Sequence, residues 1–142
     1  MGRIIGLDLG TKRIGVAISD QSQAISFAKE TINVIGIKAS LNHIVGLVKR
    51  HSADKVIIGL PLNMNGTKGP EAEKALAFAK RLQSRIRAEV LTFDERLTTV
   101  QGEHILIDAD LSREKRKKHI DKLAAQIMLQ TYLDCSKNQN GN

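Results

Sequence analysis

The sequence predicts an α/β fold, with a mixed five-stranded sheet flanked by helices. Two apolar runs flank a glycine-containing turn near the start of the chain, which is typical of a strand hairpin. From about residue 37 onward, segments with apolar residues at helical spacing alternate with short β-branched runs. The length of 142 residues suits one domain. We therefore expect a single domain over 1–135, followed by a polar, frayed tail over 136–142.

The first elements along the chain are predicted strands. Residues 3–9 and 13–19 are rich in Ile, Leu and Val and are separated by Gly10, Thr11 and Lys12. A weaker third strand is predicted at about 24–32. Consecutive strands with short connections pair in the antiparallel sense, so these three are expected to form an antiparallel unit.

The rest of the chain alternates helices and strands. A helix over about 37–51 leads to a short buried strand at 55–59, and such a crossover favours parallel pairing with an earlier strand. Pro70 suits the first position of a helix that ends near Arg85. The remaining predicted elements are a strand at 89–94, a helix from Thr98 or Thr99 to about Ile107, and a final helix from about Arg116 to Asp134.

Charge favours a polyanionic partner. The chain has 22 Lys and Arg against 15 Asp and Glu, a net charge of +7, and nucleic acid is the leading candidate. With only three Phe, one Tyr and no Trp, we expect recognition of phosphates and shape. Cys135 is the only cysteine and the histidines lack ligand spacing, which disfavours a zinc site. No apolar window spans a membrane and no signal segment is evident, so we expect a cytoplasmic protein.

Three acids stand in places where a carboxylate is costly. Asp8 lies inside a predicted core strand, Glu95 follows the last strand, and Asp121 shares a helix face with apolar residues. If the first and last strands were adjacent, these carboxylates could meet and hold Mg²⁺ or Mn²⁺. Two such ions would support hydrolysis of a phosphodiester. The alternative is that all three acids are structural: Asp8 caps the turn, Glu95 pairs with Arg96 and Asp121 pairs with a lysine.

Candidate substrate-binding residues surround these acids. A basic run precedes Asp121, two cations occupy the hairpin tip, and amide side chains lie in the loop before Pro70. Each group also has a plain structural interpretation: a solvated face, a surface turn or an ordinary loop. Arg96 can either hold the scissile phosphate through its planar fork or pair with Asp94. The candidates are Lys12, Arg13, Asn63, Asn65, Arg96, Arg113, Arg116, Lys117 and Lys118.

The sequence resembles the YqgF family, also called RuvX, a Holliday-junction-resolvase-like family with an RNase H-like fold. The segments that carry the resemblance are 6–10, 13–17, 59–66, 94–99 and 117–125, in the family's order and across nearly the whole chain. The resemblance implies that Asp8, Glu95 and Asp121 are catalytic and bind the divalent metal. Asn65 departs from the Asp that many relatives carry there, so no acidic role is carried over to that position.

The resemblance also implies a function in maturing the 5′ end of precursor 16S rRNA, with cleavage of four-way DNA junctions as the older proposal. The expected partners are structured RNA, branched DNA and a pre-ribosomal particle, bound by a monomer or weak dimer. The residues leave two other hypotheses about function open. One is a nucleotide-binding domain, suggested by the Asp8-Leu9-Gly10-Thr11 segment, and the other is a non-catalytic nucleic-acid-binding assembly factor.

Overall fold

A computed structural model describes residues 2–97 and 113–140, with side chains over 2–96 and 120–137. The helix predicted from Thr98 or Thr99 to about Ile107 lies outside the described residues. Within them, no helix is long and apolar enough to cross a membrane.

The structure confirms the predicted mixed sheet of five strands. The strands are β1 (Arg3–Leu9), β2 (Arg13–Ser19), β3 (Ser26–Asn33), β4 (Ala53–Leu60) and β5 (Glu89–Asp94). Their order in the sheet is β3-β2-β1-β4-β5. Strand β2 is antiparallel to both of its neighbours, β1 and β3, whereas β4 pairs in parallel with β1 and with β5.

The premise that the first and last strands are adjacent is wrong, because β4 lies between them. The hairpin with β2 already occupies one edge of β1, so the crossover after β3 delivers β4 to the only free edge. The next crossover then adds β5 outside β4. A residue that follows β5 must therefore reach across β4 to meet one in β1.

Three helices of the described residues cover the sheet, and a short 3-10 helix at Glu95–Leu97 follows β5. They are α1 (Ile37–Arg50), α2 (Pro70–Gln83) and α3 (Arg113–Asn140). Helix α2 begins at Pro70 as predicted, and Glu71 and Glu73 lie in its first turn, where the helix dipole favours acids. Helix α3 is longer than predicted, and its bounds include five residues of the segment assigned to a polar tail.

The sheet is buried on both faces. Helices α1 and α2 pack on one face against Ile5 and Leu7 of β1, together with the core residues of the neighbouring strands. Helix α3 packs on the other face, where Ile4 of β1 and Ile57 of β4 contribute to a second cluster. Because side chains alternate along a strand, Asp8 projects from the same face as Ile4 and therefore toward the layer of α3.

Side-chain amides fix α3 on the sheet. Gln130 donates to the Ala24 carbonyl at 2.9 Å and accepts a bond from the Ser26 amide at 2.9 Å. Gln126 donates to the Ser26 carbonyl at 3.2 Å. Farther along, a Cβ atom at Gly6 would lie 2.9 Å from Cβ of Leu129, so α3 also runs close to β1. These contacts set the position of α3, and hence of Asp121, relative to Asp8.

Candidate active site

Asp8 lies near the end of β1 between two glycines on the neighbouring strands. Gly15 of β2 is its antiparallel partner, and Leu7 pairs with Ile58 of β4, so Gly59 is next in the parallel register. Neither neighbour presents a side chain on the face of Asp8. The two missing side chains let other groups approach the sheet on both sides of this carboxyl group, one strand spacing of about 4.8 Å away.

The Glu95 side chain crosses Gly59 to reach Asp8. A Cβ atom at Gly59 would overlap Oε1 of Glu95, so only glycine leaves room for this path. At its end, the Glu95 carboxyl group makes a side-chain hydrogen bond with Asp8. The structure thus brings together two of the three predicted acids, although β4 separates the strands that carry them.

Burial, the hydrogen bond to Asp8 and the nearby charges of Asp8 and Asp94 raise the pKa of Glu95 to about 9. At neutral pH Glu95 therefore holds a proton. The stabilising contribution of this proton is fully present below the ordinary pKa of a Glu, and is lost as the pH rises toward 9. A bound cation could replace the proton and remove the repulsion between the two groups.

Asp121 lies on the other side of Asp8. A Cβ atom at Gly15 would overlap the backbone carbonyl of Asp121, so α3 rests directly on the strand beside Asp8. The Asp121 carboxylate accepts a hydrogen bond from Nε of Arg13 at 2.8 Å. Both side chains of this ion pair are only 25% exposed, so solvent screens it less than a surface pair.

The structure does not bring all three carboxylates into one cluster. Within the part of the chain that it describes, no three His, Cys, Asp or Glu side chains are placed to hold a metal ion together. Asp8 and Glu95 form a pair, while Arg13 holds Asp121. The structural alternative predicted a lysine as the partner of Asp121, and in the structure its partner is Arg13 instead.

The hairpin tip forms one wall of a recess beside Asp121. Gly10, Thr11, Lys12 and Arg13 line it together with Asp121, and its volume is about 220 Å³. Two candidate substrate-binding cations, Lys12 and Arg13, are therefore adjacent to a candidate catalytic acid. Because Asp121 balances one of the two cations, the recess has a net charge of one positive unit, which favours a phosphate group.

Arg96 pairs with Asp94 and supports the loop before α2. It donates to both carboxylate oxygens of Asp94, the shortest contact being 2.6 Å, and to the Met64 carbonyl at 3.2 Å. The bond from Arg96 lowers the pKa of Asp94. These contacts favour the pair with Asp94 that the sequence left open for Arg96. They also tie the loop to the turn that carries Glu95.

Asn63 and Asn65 hold the loop itself together. Nδ2 of Asn63 donates to Oγ1 of Thr67 at 2.9 Å, and Oδ1 of Asn65 accepts bonds from the Thr67 amide and hydroxyl at 3.1 and 2.6 Å. Gly66 completes the turn with a positive φ of 85°, a conformation that glycine adopts without strain. In this structure both side chains are engaged within the loop.

The basic run forms the first turns of α3. Its backbone is helical from Arg113 onward and leads directly to Asp121. Its four candidate phosphate-binding residues belong to the part of α3 whose side chains the structure does not describe, so their role stays a prediction. They are Arg113, Arg116, Lys117 and Lys118.

The sequence analysis assigned no role to Gly15 and Gly59, yet these residues shape the site. Glycine inside a strand weakens the strand, and it often marks a place where another group approaches the backbone closely. That signal was available at both positions, since each glycine lies in a predicted strand between two apolar residues. It indicates a close approach but does not reveal which group approaches.

Comparisons with known proteins agree with this architecture. The model of the RuvX family, described as a Holliday junction resolvase, matches residues 2–135. A protein of Caldanaerobacter subterraneus subsp. tengcongensis named "Putative pre-16S rRNA nuclease" is 50% identical over 137 residues, covering 96% of this chain and 99% of its own. A protein of Bacillus subtilis strain 168 with the same name is 48% identical over 134 residues, covering 93% and 97%.

Solved structures show the same fold at low sequence identity. RuvC of T. thermophilus, in complex with a Holliday junction substrate, has a TM-score of 0.62 at 11% identity and covers 97% of both chains. The Fowlpox virus resolvase in complex with Holliday junction DNA has a TM-score of 0.59 at 16% identity and covers 94% of this chain and 98% of its own. These matches confirm the RNase H-like fold.

Proposed function

The chain belongs to the RuvX family of nucleases, and from this premise we propose that it is a metal-dependent nuclease that matures the 5′ end of precursor 16S rRNA. The names of relatives that align over almost the whole chain support the choice of substrate. The observation that carries the chemistry is the side-chain hydrogen bond between the carboxyl groups of Asp8 and Glu95 on a partly buried face of the sheet.

The pair fits a divalent cation of the Mg²⁺ or Mn²⁺ kind. Two adjacent carboxyl groups provide hard, anionic oxygen ligands, and their mutual repulsion favours binding of a cation. Asp8 and Glu95 would hold the metal, and Asp121 would complete the set once it leaves Arg13. When bound, the metal supplies an activated water and stabilises the charge on the leaving oxygen.

Arg13 and Lys12 bind the substrate's phosphate in this proposal. Arg13 pairs with Asp121 in the absence of substrate. A phosphate group in the adjacent recess competes for the guanidinium, whose planar donor fork suits phosphate as well as carboxylate. Arg13 thus exchanges the Asp121 carboxylate for the phosphate of the substrate. The exchange frees the Asp121 side chain to turn toward Asp8.

The basic run at the start of α3 extends the phosphate contacts along the nucleic acid. The five cations from Arg113 to Lys118 precede Asp121 within about two helical turns. Contacts of this kind are independent of sequence and weaken as salt rises. The net charge of +7 supports attraction of a polyanion over longer distances.

The second candidate function is cleavage of a four-way DNA junction. The family's description as a Holliday junction resolvase favours it. Symmetric cutting of a junction requires two active sites, whereas trimming of one RNA end requires one. We propose a monomer or weak dimer that acts in the cytoplasm on a pre-ribosomal particle, which favours the RNA substrate.

The test is a cleavage assay with two substrates. Purified protein is incubated with a 5′-extended 16S rRNA fragment or with a synthetic four-way DNA junction, each in Mg²⁺, Mn²⁺ or EDTA. The proposal expects metal-dependent cutting of the RNA and none in EDTA. Cutting of the junction alone would replace this proposal with the resolvase, and salt-sensitive binding without cutting would replace it with a non-catalytic assembly factor.

A further inference from the structure

A second cavity lies on the opposite face of the sheet from α3. Its volume is about 270 Å³, and it opens between the hairpin turn and helices α1 and α2. Most of its walls are apolar, and they include Leu9 and Ile14 from the hairpin, Ile37 from α1 and Phe78 from α2. The proposed chemistry at Asp8 and Glu95 does not use this cavity. An apolar recess of this size suits a small planar group rather than an extended ligand.

Few polar side chains line the cavity, and Ser40 and Lys74 are among them. Ser40 of α1 lines the cavity and is 3% exposed, and its hydroxyl has no hydrogen-bond partner among the described residues. A buried hydroxyl without a partner is costly, and a ligand with a polar edge can relieve that cost. Lys74 also lines the cavity, where it pairs loosely with Glu71 at 3.5 Å. An exposed pair of this kind contributes little stability, so Lys74 is available to an incoming anion.

The hairpin turn connects the cavity to the candidate active site. Gly10 and Thr11 line the cavity, and the same two residues line the recess that contains Lys12, Arg13 and Asp121. A nucleotide whose phosphate lies in the recess would have to extend only across this turn to place its base in the cavity. The recess thus suits the phosphate of one nucleotide, and the cavity suits its base, which is an apolar ring with a polar edge.

We propose that this cavity binds an unpaired base of the nucleic-acid substrate, next to the phosphate held at Lys12 and Arg13. The inference rests on the proposed function, since it requires a nucleic-acid substrate. It adds a base-binding site to a chain whose few aromatic residues argue against recognition by exposed stacking surfaces. A substrate with a single-stranded segment at the cleavage site would satisfy this requirement, and a fully paired one would have to release a base.

The test compares two ligands and four proteins. The ligands are a single-stranded RNA hexanucleotide and a hexamer with the same ribose-phosphate backbone but no bases, both titrated in EDTA so that no cleavage occurs. The proteins are the unaltered chain, Ala77→Leu, Ser40→Ala and Ala39→Leu. Ala77 lines the cavity and is exposed, so the larger side chain fills the cavity without entering the core. Ala39 is exposed on α1 and does not line the cavity, which makes it the matched control.

We expect the unaltered chain and Ala39→Leu to bind the RNA at least about tenfold more tightly than the abasic hexamer, as expected for one sequestered base. Ala77→Leu should abolish that difference, and Ser40→Ala should reduce it about threefold. Equal affinity of the unaltered chain for the two ligands would overturn the base site and leave the nuclease proposal standing. Binding of neither ligand at low salt would overturn both.

Discussion

Asp8→Asn is expected to slow cleavage on the order of 10²–10³-fold while the protein stays folded. The substitution replaces a carboxylate on the α3 face of the sheet with a neutral amide of the same shape. It removes one of the two groups proposed to hold the metal and weakens stabilisation of charge in the transition state, where single groups have effects of this size. The amide can still form a hydrogen bond with Glu95, so the contact between β1 and the end of β5 is retained.

The measurement is a single-turnover cleavage rate together with the thermal unfolding midpoint. Asp134→Asn is the matched control, because Asp134 is exposed on α3 and accepts a bond from Gln130 that an Asn oxygen can also accept. The control should cleave at the rate of the unaltered chain. An Asp8→Asn protein that keeps full activity would contradict the assignment of Asp8, and one that unfolds would indicate a structural role.

Gly15→Ala is expected to disturb both stability and activity. The added methyl group overlaps the Asp121 carbonyl, which belongs to a helix backbone and cannot rotate away as a flexible side chain can. Helix α3 must therefore shift on the sheet, and overpacking of this kind costs about 1–3 kcal/mol of unfolding free energy. The shift also moves Asp121 relative to Asp8, and a displacement of about 1 Å at a reacting centre can lower the rate about 10²-fold.

Gly46→Ala provides the matched control. Gly46 lies within α1, and a Cβ atom there would meet nothing within 4 Å. The same substitution in a helix interior should raise the free energy of unfolding by about 0.5–1 kcal/mol and leave cleavage unchanged. Chemical denaturation and cleavage rates measured on both variants separate the two effects. If Gly15→Ala resembled Gly46→Ala, the close approach of α3 to β2 would not matter for the site.

Much of the fold could be predicted from the sequence because its elements carry local signals. Pro70 marks the first residue of α2, and strand β5 has the bounds 89–94 that the sequence predicts. The strand order was harder, because it depends on which edge of β1 is already occupied. The hairpin to β2 leaves one free edge, so β4 takes it and β5 lies beyond.

The site could be predicted only in part. The cost of burying a carboxylate singled out Asp8, Glu95 and Asp121, but the path by which Glu95 reaches Asp8 depends on a missing side chain at Gly59. The ion pair between Arg13 and Asp121 joins residues 108 positions apart, and no local pattern indicates it. Contacts that depend on the absence of a side chain, or that join residues far apart in the chain, produce no local pattern in a single sequence.

The central claim is that Asp8 and Glu95 form a metal centre. Its most direct test is the thermal unfolding midpoint of the protein, measured with and without Mn²⁺. The unaltered chain should gain stability in Mn²⁺, by about 2.7 kcal/mol when the free ion is at a hundred times its dissociation constant. Glu95→Gln should be more stable than the unaltered chain in EDTA at pH 8, since its amide is neutral without having to bind a proton on folding, and should not respond to Mn²⁺. Glu89→Gln, an exposed change at the start of β5, should respond like the unaltered chain. Equal responses of the Glu95→Gln protein and the unaltered chain to Mn²⁺ would contradict the claim.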